Sequence, residues 1–337
     1  MMGMVAEQAN DGRRDQGRNW AAAQLGAEVC LEPAAADASN RRYFRVRDGA
    51  GRTWILMDAP AQRQTVEAFL RVGRWLESAG VHVPQPQAVD EEAGLVLLTD
   101  LGQQTFLDAW LAGSPPEPLL ESAVEALVRW QSASRPGVLP EFGAAALREE
   151  LSLFTEWYLT AHRGLQPGVA DPELESALER LAEGVGNQPR VFVHRDFMGR
   201  NLMVSDPLPG VLDFQDAVWG PVAYDPVCLL RDAFISWPPE VEERVFAHYW
   251  SRARAAGVPV HDDYQSFRSA CSWAGVQRHL KVLGIFARLS YRDGKAEYLK
   301  DAPRFWRYLR CAAAEEPALS GIIGVVAERA GEAWVVA

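Results

Sequence analysis

Apolar residues recur along this chain at two spacings, and the point where one gives way to the other divides it. In the first hundred residues, 42–46 and 53–57 alternate or run apolar on either side of Asp48-Gly49-Ala50-Gly51, and 87–89 and 95–99 do so around Glu91-Glu92-Ala93-Gly94. Short apolar runs bounded by polar, glycine-containing turns predict two hairpins. Between them Val66, Phe69, Leu70, Gly73, Trp75 and Leu76 return at helical spacing, with Gly80 placed to end the helix. Residues 20–30 read as a short helix, and 1–19, dominated by charged and amide side chains, as a disordered terminus. The prediction is a small antiparallel sheet with one long helix.

From residue 105 the helical period takes over. Stretches 119–131, 147–162, 172–183, 224–234, 239–256, 263–289 and 297–313 carry it, with Asp171 and Pro172 as a cap and first helical position, and 322–337 reads as a packing or fraying end helix. Asp100-Leu101-Gly102 is the natural junction, so 20–101 is expected to be a nucleotide-binding lobe and 102–337 a helical lobe. An α+β molecule of two lobes follows, with a cleft between them and its chemistry on the far wall.

One non-helical insertion carries that chemistry. The apolar run Val191-Phe192-Val193 reads as a buried strand leading into His194-Arg195-Asp196-Phe197-Met198-Gly199-Arg200-Asn201, and a predicted hairpin around 205–209 leads to Asp213-Phe214. Phosphoryl transfer asks a protein mainly to position a hydroxyl and neutralise phosphate charge with Mg²⁺. Asp196 fits the base; Asn201 and Asp213 offer the amide and carboxylate oxygens that Mg²⁺ prefers. The hairpin is expected to return Asp213 beside Asn201.

Composition narrows the setting. A net charge of −11 argues against nucleic acid or an anionic membrane as partner, since both select basic surfaces. No run approaches the roughly 18 residues of a membrane span, and 1–19 lacks the apolar stretch of a secretory leader. A soluble cytoplasmic enzyme acting on a small molecule, with no obligate protein partner, is expected. Cys30, Cys228, Cys271 and Cys311 show no paired spacing, which predicts reduced, buried thiols. Of 34 basic residues only Lys281, Lys295 and Lys300 are lysine.

The catalytic motif resembles that of the aminoglycoside-phosphotransferase-like branch of the kinase superfamily. Longer runs, Asp37-Ala-Ser-Asn-Arg-Arg-Tyr-Phe-Arg45, Met57-Asp-Ala-Pro60, Val81-His-Val-Pro84, Gly210-Val-Leu-Asp-Phe-Gln-Asp-Ala217, Gly220-Pro-Val-Ala-Tyr-Asp225 and above all 275–288, are similar to its anomeric amino-sugar kinases. The resemblance implies a protein-kinase-like fold, ATP and Mg²⁺. It further implies transfer to the C1 hydroxyl of N-acetylmuramate and N-acetylglucosamine in peptidoglycan recycling. It assigns Asp196 as base, Asn201 and Asp213 as metal ligands, and Asp225 as a brace of the catalytic loop. Gln215-Asp216 stands where protein kinases have glycine, which argues against their mobile activation segment.

The family's phosphate-binding lysine is absent from the matching strand, 53–58. Arg41 or Arg42 is the candidate replacement, with Ser39 and Asn40 in the turn approaching the phosphates, because guanidinium binds phosphate oxygens bidentately; both are otherwise solvated strand-end charges. Backbone groups of Thr99, Asp100 and Leu101 are expected at the adenine. Gln215 is grouped with Asp196 at the acceptor. Arg278 and Lys281, with His279, form a basic cluster able to pair with the lactyl carboxylate of N-acetylmuramate or else a solvated helix face. Arg200 is expected to brace the loop through an ion pair and His194 to pack beneath it. Trp219, Trp237 and Trp273 are core aromatics or sugar-stacking rings. The competing readings are a kinase of aminoglycosides, choline or homoserine, and a nucleotide-binding pseudokinase.

Overall fold

Alternation in the first hundred residues becomes a single antiparallel sheet in the computed structural model, which describes residues 2–35, 41–59, 63–166 and 171–333. After helix α1 (Met2–Leu25) come β1 (Val29–Ala35), β2 (Arg42–Asp48), β3 (Thr53–Asp58), helix α2 (Arg63–Ser78), β4 (Pro86–Asp90) and β5 (Leu95–Thr99), in spatial order β1-β2-β3-β5-β4. The register sets Arg42 opposite Asp58 and Trp54 opposite Thr99. Phe44, Val46, Leu56, Leu95 and Leu97 build the core on one face.

The amino-terminal segment departs from the prediction. Instead of disorder to residue 19 and a helix over 20–30, one helix runs through Met2–Leu25 and Cys30 lies in β1. Its attachments are sparse, which is why the pattern missed it: Ala21 enters the sheet core. Gly17 lets Leu56 approach so closely that a Cβ there would stand 2.9 Å from its methyl, and Arg13 donates to Asp58 at 2.9 and 2.7 Å. Helix α2 buries Val66, Phe69, Val72 and Leu76, and ends as expected at Gly80, whose left-handed φ of +76° an L side chain resists.

The compact unit built on this sheet comprises Met1–Thr105 and Met203–Asp216. The second comprises Phe106–Leu202 and Ala217–Ala337. The 101/102 junction is thus displaced only slightly, but the hairpin and Asp213, expected in the helical lobe, belong to the first unit. The reason is hydrogen bonding: Val204 N–H donates to Gln104 O and Val211 N–H to His82 O, both at 2.8 Å.

The second unit contains α3 (Phe106–Leu111), α4 (Pro116–Ser132), α5 (Ala144–Leu153), α6 (Pro172–Gly186) and β6 (Arg190–Val193). The chain then forms the predicted hairpin of β7 (Leu202–Met203) and β8 (Gly210–Val211) before β9 (Val218–Pro221) pairs antiparallel with β6. Helices α7 (Tyr224–Leu230), α8 (Pro239–Ala255), α9 (Tyr264–Asp293), α10 (Ala302–Glu315) and α11 (Pro317–Ala330) complete it. Asp171 caps α6 as expected, accepting from Leu174 N–H at 3.1 Å. The predicted 147–162 helix changes at Phe154 into a π-helical stretch to His162. There α9 crosses so tightly that a Cβ on Gly284 would stand 2.3 Å from the Leu153 carbonyl carbon. Among the described residues no helix is long and apolar enough to cross a membrane. All four cysteines are free; Cys228 and Cys271 are buried as expected, whereas Cys30 and Cys311 lie at the surface.

Candidate active site

In the second unit, β6 buries Val191, Phe192 and Val193 and hands the chain to the His194 motif. Arg195 sits at φ +78°, a left-handed conformation that costs a non-glycine residue on the order of 1 kcal/mol or more. Several groups hold it there. Asp225, in the first turn of α7, accepts from His194 N–H at 2.7 Å and from Arg195 N–H at 2.9 Å. The Arg195 carbonyl accepts from Cys228 Sγ at 3.0 Å, and its guanidinium pairs with Glu150 of α5 and lies over the Phe142 ring. His194 is buried, its Nδ1 accepting from Asp196 N–H at 3.3 Å.

Asn201 donates from Nδ2 to the Asp196 carbonyl at 2.9 Å, which leaves the amide's Oδ1 as its acceptor atom. Gly199 N–H donates to buried Asp232 at 3.2 Å. Helix α9 contributes Arg278, donating to Arg231 O at 3.3 Å, and Lys281, donating to Glu150 at 2.8 Å. Burial pushes the Asp196 carboxyl upward, but the charges of Lys281 and Arg278 outweigh it and hold the group below the ordinary aspartate range. Asp196 is therefore a carboxylate at neutral pH. Asp225 goes the other way: burial raises it to about 6 against the favourable charge of His194 and two backbone N–H groups.

The first unit carries Asp213, the other non-glycine residue of left-handed φ (+61°) among those described. Its neighbour Phe214 is fully buried and stacks on Phe69 of α2 at 4.8 Å, over Gly73, where a Cβ would press the ring at 3.3 Å. Arg41 donates to Asp213 Oδ1 at 3.1 Å, as does Gln215 Nε2 at 2.9 Å; the same Gln215 nitrogen reaches Asp216 at 2.7 Å. Arg42 instead pairs with Asp58 across the β2–β3 register, and Arg45 forks onto Asp100 at 2.7 and 3.1 Å. Thr99 is tied at both N–H and hydroxyl to Gln85, and Leu101 packs over Gly210. Ser39 and Asn40 lie outside the described residues.

Several sequence expectations change here. Arg278 and Lys281 are not a solvated face, because both are buried, and each has an internal partner. Gln215 donates to two carboxylates, Asp213 and Asp216. Arg200 makes no ion pair among the described residues; its guanidinium lies 4.9 Å over the Phe234 ring. Arg42 is committed to Asp58, which leaves Arg41 as the arginine directed at Asp213. His279 turns to Arg231 O and stacks on Tyr308 at 4.8 Å. Trp237 is buried against Trp110, Trp219 packs edge-on to Phe192, and Trp273 crowds Gly184.

Sequence reading missed Glu150 and Asp232. Each contacts the loop across more than thirty residues, and neither stands in a recognisable motif. As for a metal, no group of three or more His, Cys, Asp and Glu side chains is disposed to hold one among the described residues. Mg²⁺ asks for less, one or two protein oxygens plus substrate phosphates. Asn201 Oδ1 and Asp213 Oδ2, the atoms left by the hydrogen bonds above, are donors of that kind.

Comparison with known proteins places the chain in a family. Residues 31–258 match the phosphotransferase enzyme family. An N-acetylmuramate/N-acetylglucosamine kinase of Pseudomonas aeruginosa is 48% identical over 291 residues, 86% of either chain; one of Pseudomonas putida is 45% identical over 96% of this chain and 93% of its own. Among solved structures, an ADP-bound aminoglycoside phosphotransferase shares the fold with a TM-score of 0.58 at 15% identity, covering 87% of this chain and 97% of that one. A choline/ethanolamine kinase family protein from Mesorhizobium loti does so with 0.58 at 18%, covering 93% and 99%. The fold is that of the protein-kinase-like two-lobed enzymes, and the chain belongs to the phosphotransferase enzyme family.

Proposed function

We propose that this protein transfers the γ-phosphate of ATP to the anomeric C1 hydroxyl of N-acetylmuramate and N-acetylglucosamine, giving the sugar 1-phosphate during peptidoglycan recycling. The observation that carries the reading is the likeness, over nearly the whole chain, to curated kinases of these sugars. Asp196, ionised by the charges of Arg278 and Lys281, accepts a hydrogen bond from the C1 hydroxyl and aims its oxygen in line with the phosphate. An anomeric hydroxyl is more acidic than an ordinary alcohol, since the ring oxygen withdraws electrons. A carboxylate of low basicity suffices, taking the proton late.

Asn201 and Asp213 would hold Mg²⁺, which when bound neutralises charge on the transferring phosphoryl group. Arg41, not Arg42, takes the place of the missing lysine in this reading, binding phosphate oxygens and so releasing Asp213 Oδ1. Backbone groups at 99–101 receive the adenine. Phosphorus NMR of the products formed from each sugar with Mg-ATP tests the proposal, because acceptor, position and anomer are read in one spectrum. A 1-phosphate from either sugar is expected; a 6-phosphate, or no transfer to these sugars, would overturn it.

A further inference from the structure

If Arg278 and Lys281 are spent internally, the lactyl carboxylate of N-acetylmuramate needs another partner. The segment between α7 and α8 gathers three other guanidinium groups. Arg200 lies over Phe234, Arg304 donates to Ala233 O at 2.7 Å, and Arg307 donates to Ser236 Oγ at 2.7 Å. Arg304 is shared with Asp301. Arg200 and Arg307 are exposed and make no ion pair among the described residues. Their supports are rigid: Phe234 packs on Phe286 and Tyr298, and Ser236 is hydrogen-bonded to Tyr308 at 2.9 Å.

Asp232 joins this segment to the catalytic loop. One carboxylate oxygen accepts from Phe234 N–H at 2.7 Å and the other from Gly199 N–H at 3.2 Å. The carboxylate is fully buried, so the spacing between the Phe234–Ser236 strip and the Asp196–Asn201 loop is fixed within this unit. Arg200 belongs to both, being the residue before Asn201.

We propose that Arg200 and Arg307 form an acceptor-carboxylate subsite that distinguishes N-acetylmuramate from N-acetylglucosamine. The assignment rests on the function proposed above. The two sugars differ by the lactyl ether, which adds one negative charge. A guanidinium held over an aromatic ring by cation–π attraction still has N–H groups to offer a carboxylate, and N-acetylglucosamine has no carboxylate to take them. The two arginines are specificity-determining and take no part in proton transfer.

The test is the ratio of kcat/KM for N-acetylmuramate to that for N-acetylglucosamine, measured in wild type, Arg200→Gln, Arg307→Gln and the double variant. Arg135→Gln, another exposed arginine, serves as control. A charge-assisted hydrogen bond lost at an accessible site predicts a ratio lowered about tenfold in the single variants and further in the double, mostly through KM for N-acetylmuramate. Because both sugars meet the same preparation, the ratio does not depend on how much of a variant is folded. Arg200→Lys, which keeps charge but loses the fork, should fall between. Wild type active on both sugars, with an unmoved ratio in the double variant, would overturn the subsite alone. Wild type inert toward both would overturn the proposed function as well.

Discussion

The segment carrying Asp196 and the one carrying Asp213 each force a non-glycine residue into the left-handed region, and they are secured by opposite means. Around Arg195 the restraints are buried and charged: Asp225 takes two backbone N–H groups, Glu150 takes Arg195 and Lys281, and Asp232 takes Gly199. At Asp213 the backbone is fixed by an apolar wedge, Phe214 on Phe69, while the carboxylate keeps one-third of its side chain exposed and takes both hydrogen bonds on a single oxygen. In the proposed reaction Asp196 is the base, which must be aimed before the acceptor arrives, and Asp213 a metal ligand, which needs a fixed backbone and an open lone pair. The two constructions suit the demands that the proposal makes of them.

The sharpest contrast lies in the variants of the charged residues themselves. Asp196→Asn should lower kcat about a thousandfold, within the range for losing a general base, with nucleotide affinity retained; stopped-time assays with excess Mg-ATP beside a nucleotide titration would show it. Glu150→Gln should come next, acting on the fold. Its carboxylate stays ionised because the charges of Lys281 and Arg195 outweigh burial, so removing it strands two cations and should cost about 3–5 kcal/mol in denaturant unfolding. Asp213→Asn, by contrast, should cost less than Glu150→Gln, because its carboxylate is one-third exposed and meets one arginine and not two buried cations. It should still raise the Mg²⁺ concentration for half-maximal activity at least tenfold. A large loss of stability there, or none at Glu150, would erase the distinction.

What the sequence revealed follows the same division. The hairpins of the sheet were legible because alternation and glycine turns are local; Asp196, Asn201 and Asp213 stood out as candidates because their spacing is set by one loop and one hairpin. The supports were not. Glu150 stands beside Glu149 in a helix whose pattern gives neither a role, and it reaches Arg195 only after 45 residues of chain. The buried charges of α9 looked like a polar face, since periodicity reports which side of a helix is apolar and is silent when all sides are covered. The part of α1 before residue 20 was missed because Gly17 attaches it by being small.

The pH dependence sharpens the picture on the side of the brace. Burial lifts Asp225 to about 6 in the folded protein, against about 3.9 unfolded. Between pH 6 and 4 the native state therefore holds a proton that the unfolded chain has released, and this group's contribution to stability grows as pH falls through that window. Protonation also takes one oxygen from the paired N–H groups of His194 and Arg195 and loosens the Arg195 peptide. Turnover should fall below about pH 6 while that contribution rises. A pH profile of kcat should show an inflection near 6 that Asp225→Asn abolishes, since Asp196 stays ionised throughout.

The smallest effect concerns two adjacent arginines of the first unit. Arg41 points at Asp213, whereas Arg42 shares Asp58 with Arg13. If guanidinium replaces the missing lysine, only the first has a reason to contact phosphate. Arg41→Ala should raise KM for ATP about tenfold, the scale of one charge-assisted hydrogen bond. Arg42→Ala should change it less than about twofold, because Arg13 continues to neutralise Asp58 and the deficit is confined to the β2–β3 edge. Equal effects would mean that both serve the sheet. A larger effect at Arg42 would mean that its pairing with Asp58 gives way when nucleotide binds, and that the Asp213 carboxylate keeps Arg41 for itself.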